Sequence, residues 1–279
     1  MSENVIIKTS KLVHTYPTGV TALKSVDVEI KENEVVSIVG QNGSGKTTLV
    51  RHFNGLLKPT EGNIYLHGKD VTSQSVSQLS KEVGYVFQNP NHQIFSTTVR
   101  GELEVGPHNF QFSEQEIAKA IKEVSELMKI EEDLEKHPLT LDYTTKKIVT
   151  IASVLTFRPR ILILDEPTGG LDQAGREILT KIIQMMKERG HTVIMISHDM
   201  DYVAENSERI IVMSQGRIIK EGAPQEVFLD EEILKQAQIE PPQIMQLDFA
   251  LDVRKKRSTI SVQDFVKKYK AQFPKQEGE

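Results

Sequence analysis

An α/β fold built around a parallel sheet is predicted by three features of this 279-residue sequence. Short apolar runs rich in Val, Ile and Leu alternate with segments of helical periodicity. One such run, Glu34 to Val39, leads straight into the glycine-rich segment Gly40 to Thr47, and another, Ile161 to Leu164, ends in the adjacent carboxylates Asp165 and Glu166. From Arg160 to Ser197 the order is strand, helix, strand, which suits parallel neighbours because these need a crossover between them.

The elements follow in chain order. Val5 to Lys8, Glu34 to Val39, Asn63 to Leu66 and Val83 to Phe87 read as strands separated by Gly, Pro and Asn, so the first third is strand-rich. Ser113 to Ile130 and Thr144 to Leu155 read as helices; in the second, Ile148, Ile151, Ala152 and Leu155 fall on one face at i, i+3, i+4 and i+7. Arg160 to Asp165 and His191 to Ser197 are strands flanking the helix Gln173 to Arg189. Glu208 to Met213 and Arg217 to Glu221, split by Ser214-Gln215-Gly216, predict a closing hairpin. Pro241-Pro242 ends a short helical stretch in an appendage that begins near Gln225, and residues 248–279 carry a weak helical pattern through Ile260, Phe265, Val266 and Tyr269.

Composition narrows the function classes. With 38% hydrophobic and 26% charged residues the chain has the balance of a globular protein able to bury a core. No run approaches the roughly 20 apolar residues that span a bilayer, and Met1 to Ser10 lacks the apolar stretch of a signal peptide, so an intracellular protein is expected. The absence of cysteine excludes disulfides, thiolate metal sites and cysteine nucleophiles. A net charge of −5 argues against a general nucleic-acid binder. From Val253 onward the balance reverses, with eight Lys/Arg against three Asp/Glu, including the run Arg254-Lys255-Lys256-Arg257; this is a solvated tail or a segment suited to an anionic surface or an acidic partner.

Gly40-Gln41-Asn42-Gly43-Ser44-Gly45-Lys46-Thr47 fits the phosphate-loop pattern G-x-x-x-x-G-K-[ST], set between a strand and a helix expected to begin near Lys46, with Thr48 following. Glycines let backbone N–H groups turn inward on phosphates, the helix N-terminus adds positive dipole, Lys46 neutralises β/γ oxygens, and the Thr47 hydroxyl suits Mg²⁺. Asp165 and Glu166, at the C-terminal edge of the same sheet, suit a Mg²⁺ shell and the polarisation of an attacking water respectively; the alternative is that they cap a following helix. The pattern is that of a P-loop NTPase, with ATP and Mg²⁺ as expected ligands; the alternative for the loop is a glycine-rich turn that holds no ligand.

Over residues 5–222 the chain resembles the ATP-binding subunits of ABC transporters. The resemblance implies a nucleotide-binding domain over residues 5–224, with a β subdomain, a parallel-sheet core and a helical subdomain at about 90–157. A C-terminal extension over 225–279 would serve dimerisation or docking. It implies roles for residues that alone would be unremarkable. Tyr16 matches the aromatic that stacks on adenine. Gln88 matches the glutamine that touches Mg²⁺ or the lytic water near the membrane-subunit contact, and His198 the switch histidine that senses the γ-phosphate. Gly169-Gly170-Leu171-Asp172 is similar to the D-loop, with Asp172 communicating across a dimer interface; its bland alternative is a helix N-cap. Phe87 to Phe95, Thr98-Val99 with Gly106-Pro107, and Gly222 to Phe228 are similar to energy-coupling factor transporters, the cobalt/nickel and vitamin importers. In that family two ATPase subunits pair with a membrane scaffold subunit and a substrate-binding membrane subunit, at the cytoplasmic face of the cell membrane.

The sequence departs from the family at its signature. Where Leu-Ser-Gly-Gly-Gln is expected, this chain has Leu141-Asp142-Tyr143-Thr144-Thr145. In the family this segment of one subunit closes over the γ-phosphate held by the other, so Asp142 would bring a negative charge to phosphate, and Tyr143 and Thr144 add side chains where backbone must approach. Asp142 alternatively caps its own helix. A heterodimer with one competent site is therefore expected, ahead of a homodimer with two impaired ones. Competing readings are a regulatory ABC ATPase of low turnover, which Glu166 argues against, and a nucleic-acid clamp, for which there is no long coiled-coil insertion.

Overall fold

The structure is a computed structural model that describes residues 4–251 and 262–272. The basic run Arg254 to Arg257 and Ile260 lie outside the described residues. In chain order the elements are β1 (Val5–Thr15), β2 (Thr21–Lys31), β3 (Val35–Val39), α1 (Lys46–Phe53), β4 (Glu61–Leu66), β5 (Lys69–Asp70), α2 (Val76–Leu79) and β6 (Val83–Val86). There follow α3 (Val99–Asn109), α4 (Glu114–Met128), α5 (Tyr143–Leu155), β7 (Ile161–Asp165), α6 (Gln173–Glu188), β8 (Thr192–Ile196), α7 (Met200–Asn206), β9 (Arg209–Ser214) and β10 (Arg217–Gly222). The chain ends in α8 (Pro224–Phe228), α9 (Glu231–Ala237), α10 (Gln243–Ala250) and α11 (Val262–Gln272).

Two sheets carry the architecture. A six-stranded sheet has the order β10-β9-β3-β8-β7-β6, parallel except for β10, which closes it by an antiparallel hairpin to β9. An antiparallel sheet of order β2-β1-β4-β5 packs against it. The parallel strands are mostly apolar because each face has its own core. In β7, Ile161 and Ile163 point into a cluster shared with the antiparallel sheet and α1, whereas Leu162 and Leu164 point into a second cluster shared with the helices. β8 divides in the same way, with Ile194 and Ile196 on one side and Val193 and Met195 on the other.

The sequence predicts a strand over Val5 to Lys8, but β1 continues to Thr15 through a bulge. Lys11 adopts φ 49° and the pairing with β2 shifts between Thr9 and Leu12, which breaks the alternation a strand reading relies on. Helix α4 opens with a reciprocal cap, Ser113 with Glu116, and buries Ile117, Ala120, Ile121, Val124 and Met128 along one stripe. Phe228, Leu234, Ala237 and Met245 of the C-terminal helices join the same core as β7 and β8, so this part of the chain packs as an extension of the sheet domain. No helix among the described residues is long and apolar enough to cross a membrane.

Candidate nucleotide site

Ligands of open parallel sheets bind beyond the carboxyl ends of the strands. Four strands of the six-stranded sheet deliver residues there: β3 leads into the Gly40 to Thr47 loop, β6 into Gln88, β7 into Asp165 and Glu166, and β8 into His198. A cleft of about 520 Å³ opens at this edge, lined among others by Tyr16, Lys46, Thr47, Gln88, Glu166 and His198. Asn42, Gly43, Gly45 and Thr48 also line it. Residues more than 180 positions apart in sequence thus share one concavity.

The loop has the shape its glycines allow. Gly40 sits at φ 143° and a Cβ there would lie 2.1 Å from the Met213 carbonyl oxygen, so β9 approaches too closely for any side chain. The Ser44 hydroxyl is buried, and its carbonyl accepts from the Gly216 N–H, while the Gln41 N–H donates to the Ala237 carbonyl at the end of α9. Lys46, 6% exposed, reaches back into the loop, with Nζ donating to the carbonyls of Gly40 at 2.7 Å and Gln41 at 3.0 Å. Burial pushes its pKa down, opposed by Glu166 and Asp165, so an ammonium stands at the loop facing two carboxyl groups.

Asp165 is 3% exposed and is held from two sides, by the Tyr85 hydroxyl donating to Oδ2 at 2.7 Å and the Thr47 hydroxyl donating to Oδ1 at 3.4 Å. Tyr85 was not singled out from the sequence; it reads as an ordinary strand aromatic, and burial followed by the Asp165 charge pushes its pKa well up, which keeps it a donor. Glu166 has a left-handed backbone, φ 50°, unusual for a residue with a Cβ. Its Oε2 accepts from the His198 backbone N–H at 3.2 Å, and its Oε1 lies 3.2 Å from the His198 ring Nε2. That second contact lacks hydrogen-bond alignment, and Oε1 is otherwise buried without a partner. Burial raises the Glu166 pKa to about 7, close to the working range of a general base. His198 is pushed the other way, down, by burial and then by Lys46.

The remaining candidates fall into place unevenly. Tyr16 lines the cleft and its hydroxyl lies 3.0 Å from the Thr48 hydroxyl. Asp172 caps α6, accepting from the Gly175 N–H at 2.8 Å. Asp142 caps α5, accepting from the N–H of Thr145 at 2.9 Å and its hydroxyl at 2.7 Å. Leu141 is half-buried against the helix-side core. Tyr143 lines this chain's own cleft, as does Lys147, which the sequence pattern does not distinguish from a lysine on a solvated helix face.

A glycine-rich loop before a helix, an acid pair at the end of a neighbouring strand and a histidine on the next define a P-loop nucleotide hydrolase. A family model described as ABC transporter matches residues 23–169. The energy-coupling factor transporter ATP-binding protein EcfA of Methanocaldococcus jannaschii is 37% identical over 92% of this chain and 92% of its own length. The energy-coupling factor transporter ATP-binding protein EcfA2 of Caldanaerobacter subterraneus subsp. tengcongensis is 42% identical over 86% of this chain and 85% of its length. Among solved structures, cbiO1 from Clostridium perfringens, described as part of the ABC transporter complex cbiONQ, matches with a TM-score of 0.75 at 36% identity, covering 90% of this chain and all of that one. The chain belongs to the ABC transporter ATP-binding proteins, in their energy-coupling factor group.

Proposed function

We propose that this chain hydrolyses ATP to drive uptake of a vitamin or transition-metal ion through separate membrane subunits, a scaffold and a substrate-binding protein, from the cytoplasmic face of the membrane. The observation that supports it most is the gathering of Lys46, Thr47, Gln88, Glu166 and His198 around one cleft. Tyr16 offers its ring to the base and Lys46 neutralises the phosphates. Glu166, half-buried and poised to take a proton, holds the attacking water, and His198 fixes the Glu166 carboxylate through its backbone N–H.

Thr47, Asp165 and Gln88 form an all-oxygen donor set of hydroxyl, carboxylate and amide, the chemistry Mg²⁺ prefers. Bound there, Mg²⁺ would neutralise charge on the transferred phosphoryl group.

The partner ATPase is a different chain with an intact signature. Asp142 is exposed and its pKa is pushed down by the hydrogen bonds from Thr145, so an ionised carboxylate stands where a partner's γ-phosphate would meet this chain. The competent site is then the one built on this chain's Lys46, Asp165, Glu166 and His198.

Two substitutions in the assembled complex test the site. Lys46→Ala is expected to weaken Mg-ATP binding at least about tenfold, or 1.4 kcal/mol; unaffected binding by equilibrium titration removes the phosphate-site assignment. Glu166→Gln is expected to retain ATP binding while turnover falls by roughly 10²–10⁴-fold. A steady-state rate equal to wild type would take Glu166 out of the catalytic role.

A further inference from the structure

Lys147 is 1% exposed, among the largest fully buried side chains of the protein, and it lies beside the catalytic turn. A buried ammonium must find hydrogen-bond partners, and those found here are main-chain oxygens. Nζ donates to the carbonyl of Glu166 at 2.5 Å and to that of Gly169 at 2.8 Å. Its remaining side faces the Tyr143 ring, whose centroid is 6.0 Å away. The neighbouring Thr144 hydroxyl donates to the Gly170 carbonyl at 3.1 Å. Tyr143 packs so tightly over Gly170 that a Cβ there would lie 2.5 Å from its ring. The first turns of α5 therefore hold the carbonyls of residues 166, 169 and 170.

This turn needs holding. Glu166 adopts φ 50°, a conformation that side chains with a Cβ rarely keep without support from their surroundings. Its N–H is fixed on one side by the Ile196 carbonyl at 2.9 Å. Its carbonyl is fixed on the other side by Lys147. With both ends of the peptide frame tied, the direction of the Glu166 Cα–Cβ bond is set, and the carboxylate it carries lies against the His198 backbone N–H at the cleft.

We propose that Lys147 is a positioning residue for ATP hydrolysis: its ammonium, bound to the Glu166 and Gly169 carbonyls, fixes the left-handed backbone that aims the Glu166 carboxylate into the cleft. The proposal rests on the reading of Glu166 as the base. It predicts a loss of rate without a loss of nucleotide affinity, because Lys147 holds the turn and not the phosphate loop.

The test is a double-substitution cycle in the assembled complex, comparing wild type, Lys147→Met, Glu166→Gln and the double variant by single-turnover hydrolysis and Mg-ATP titration. Lys147→Met is expected to lower the rate about ten- to a hundredfold, to keep the ATP dissociation constant within about twofold, and to add almost nothing to the loss caused by Glu166→Gln. A loss that adds in full to that of Glu166→Gln, or a dissociation constant that weakens in step with the rate, overturns the proposal and gives Lys147 a structural or nucleotide-binding role. Lys147→Gln, smaller and still a donor, carries the same cycle should the methionine variant fail to assemble, and full additivity there has the same meaning. A wild-type rate for Glu166→Gln alone is the distinct sign that the base assignment has failed, and the proposal falls with it.

Discussion

Behind the phosphate loop, His52 is completely buried on α1, with Nδ1 2.7 Å from the Thr48 carbonyl and Nε2 3.2 Å from Nδ1 of His14. The carbonyl requires a proton on Nδ1, so Nε2 is left as an acceptor, and protonating it would place a charge in an apolar wall. Burial accordingly pushes the His52 pKa from 6.5 down to about 4. In the pH range between those values the unfolded chain binds the proton and the folded one does not, so stability falls as pH falls. Between pH 7 and pH 5 this single residue is expected to remove about 2 kcal/mol. Urea unfolding of wild type and His52→Gln at both pH values checks it: the wild type should lose that much more than the variant, and equal losses would show that His52 is already protonated in the native state. The residues that surfaced only in the structure belong to this scale too. Lys147 and Tyr85 act through the main chain and through Asp165, and nothing in their local sequence separates a buried anchoring side chain from a solvated lysine or a strand aromatic.

Among the elements, Arg209 at the start of β9 joins four pieces of chain. Its guanidinium forms a fork with Glu34, at 2.6 and 3.0 Å, bonds Glu221 of β10 at 2.6 Å, and donates to the Glu29 carbonyl of β2 at 2.7 Å. Glu34 is 8% exposed, so removing the arginine strands a carboxylate in the seam between the two sheets. Arg209→Met is expected to cost roughly 3–5 kcal/mol, read as a lower urea midpoint, and Glu34→Gln in the same chain should recover part of it; no recovery would mean that packing, not the stranded charge, sets the cost. Elements were legible from sequence where one period ruled. β3, β7 and β8 are short apolar runs, and α4 shows a single stripe between clear caps. They were missed where the period was broken or shared. β2 does alternate Leu23, Val26, Val28 and Ile30 inward, but Ser25 at φ 58° interrupts the count. α3 carries Gly101, Gly106 and Pro107, residues that punctuate loops elsewhere, and here Gly106 gives room to the Phe157 ring, which a Cβ would meet at 2.5 Å. The phosphate loop and the carboxylates after β7 were legible because their chemistry is local, three or four residues at fixed spacing; the Lys147 anchor spans nineteen and twenty-two residues and exists only once α5 lies on the turn after β7.

At the scale of the molecule, the proposed pairing with a different ATPase turns on the segment 141–145. Asp142 is both the cap of α5 and an exposed anion, so its charge is fixed at the helix end with no cation paired to it in the hydrogen bonds it makes. Set against a phosphate about 4 Å away, a unit charge contributes of the order of 4 kcal/mol of repulsion near a protein surface. That exceeds two powers of ten in affinity, so on the proposed arrangement a closed homodimer is expected to be scarcer than a pair with one intact signature. Tyr143 adds a steric term of its own, since its ring is committed to Gly170 and leaves no glycine backbone to approach a phosphate. The purified chain alone is therefore expected to hydrolyse ATP far more slowly than the complex recovered from native membranes in mild detergent, with mass spectrometry of that complex revealing a second ATPase and two kinds of integral membrane protein. Asp142→Ser, which keeps a side-chain cap on α5, should raise the rate of the chain alone by removing the charge that a partner's phosphate would meet. A homodimer of the unaltered chain that already matches the complex would show that Asp142 does not face phosphate in the closed state, and that the cap of α5 is its whole role.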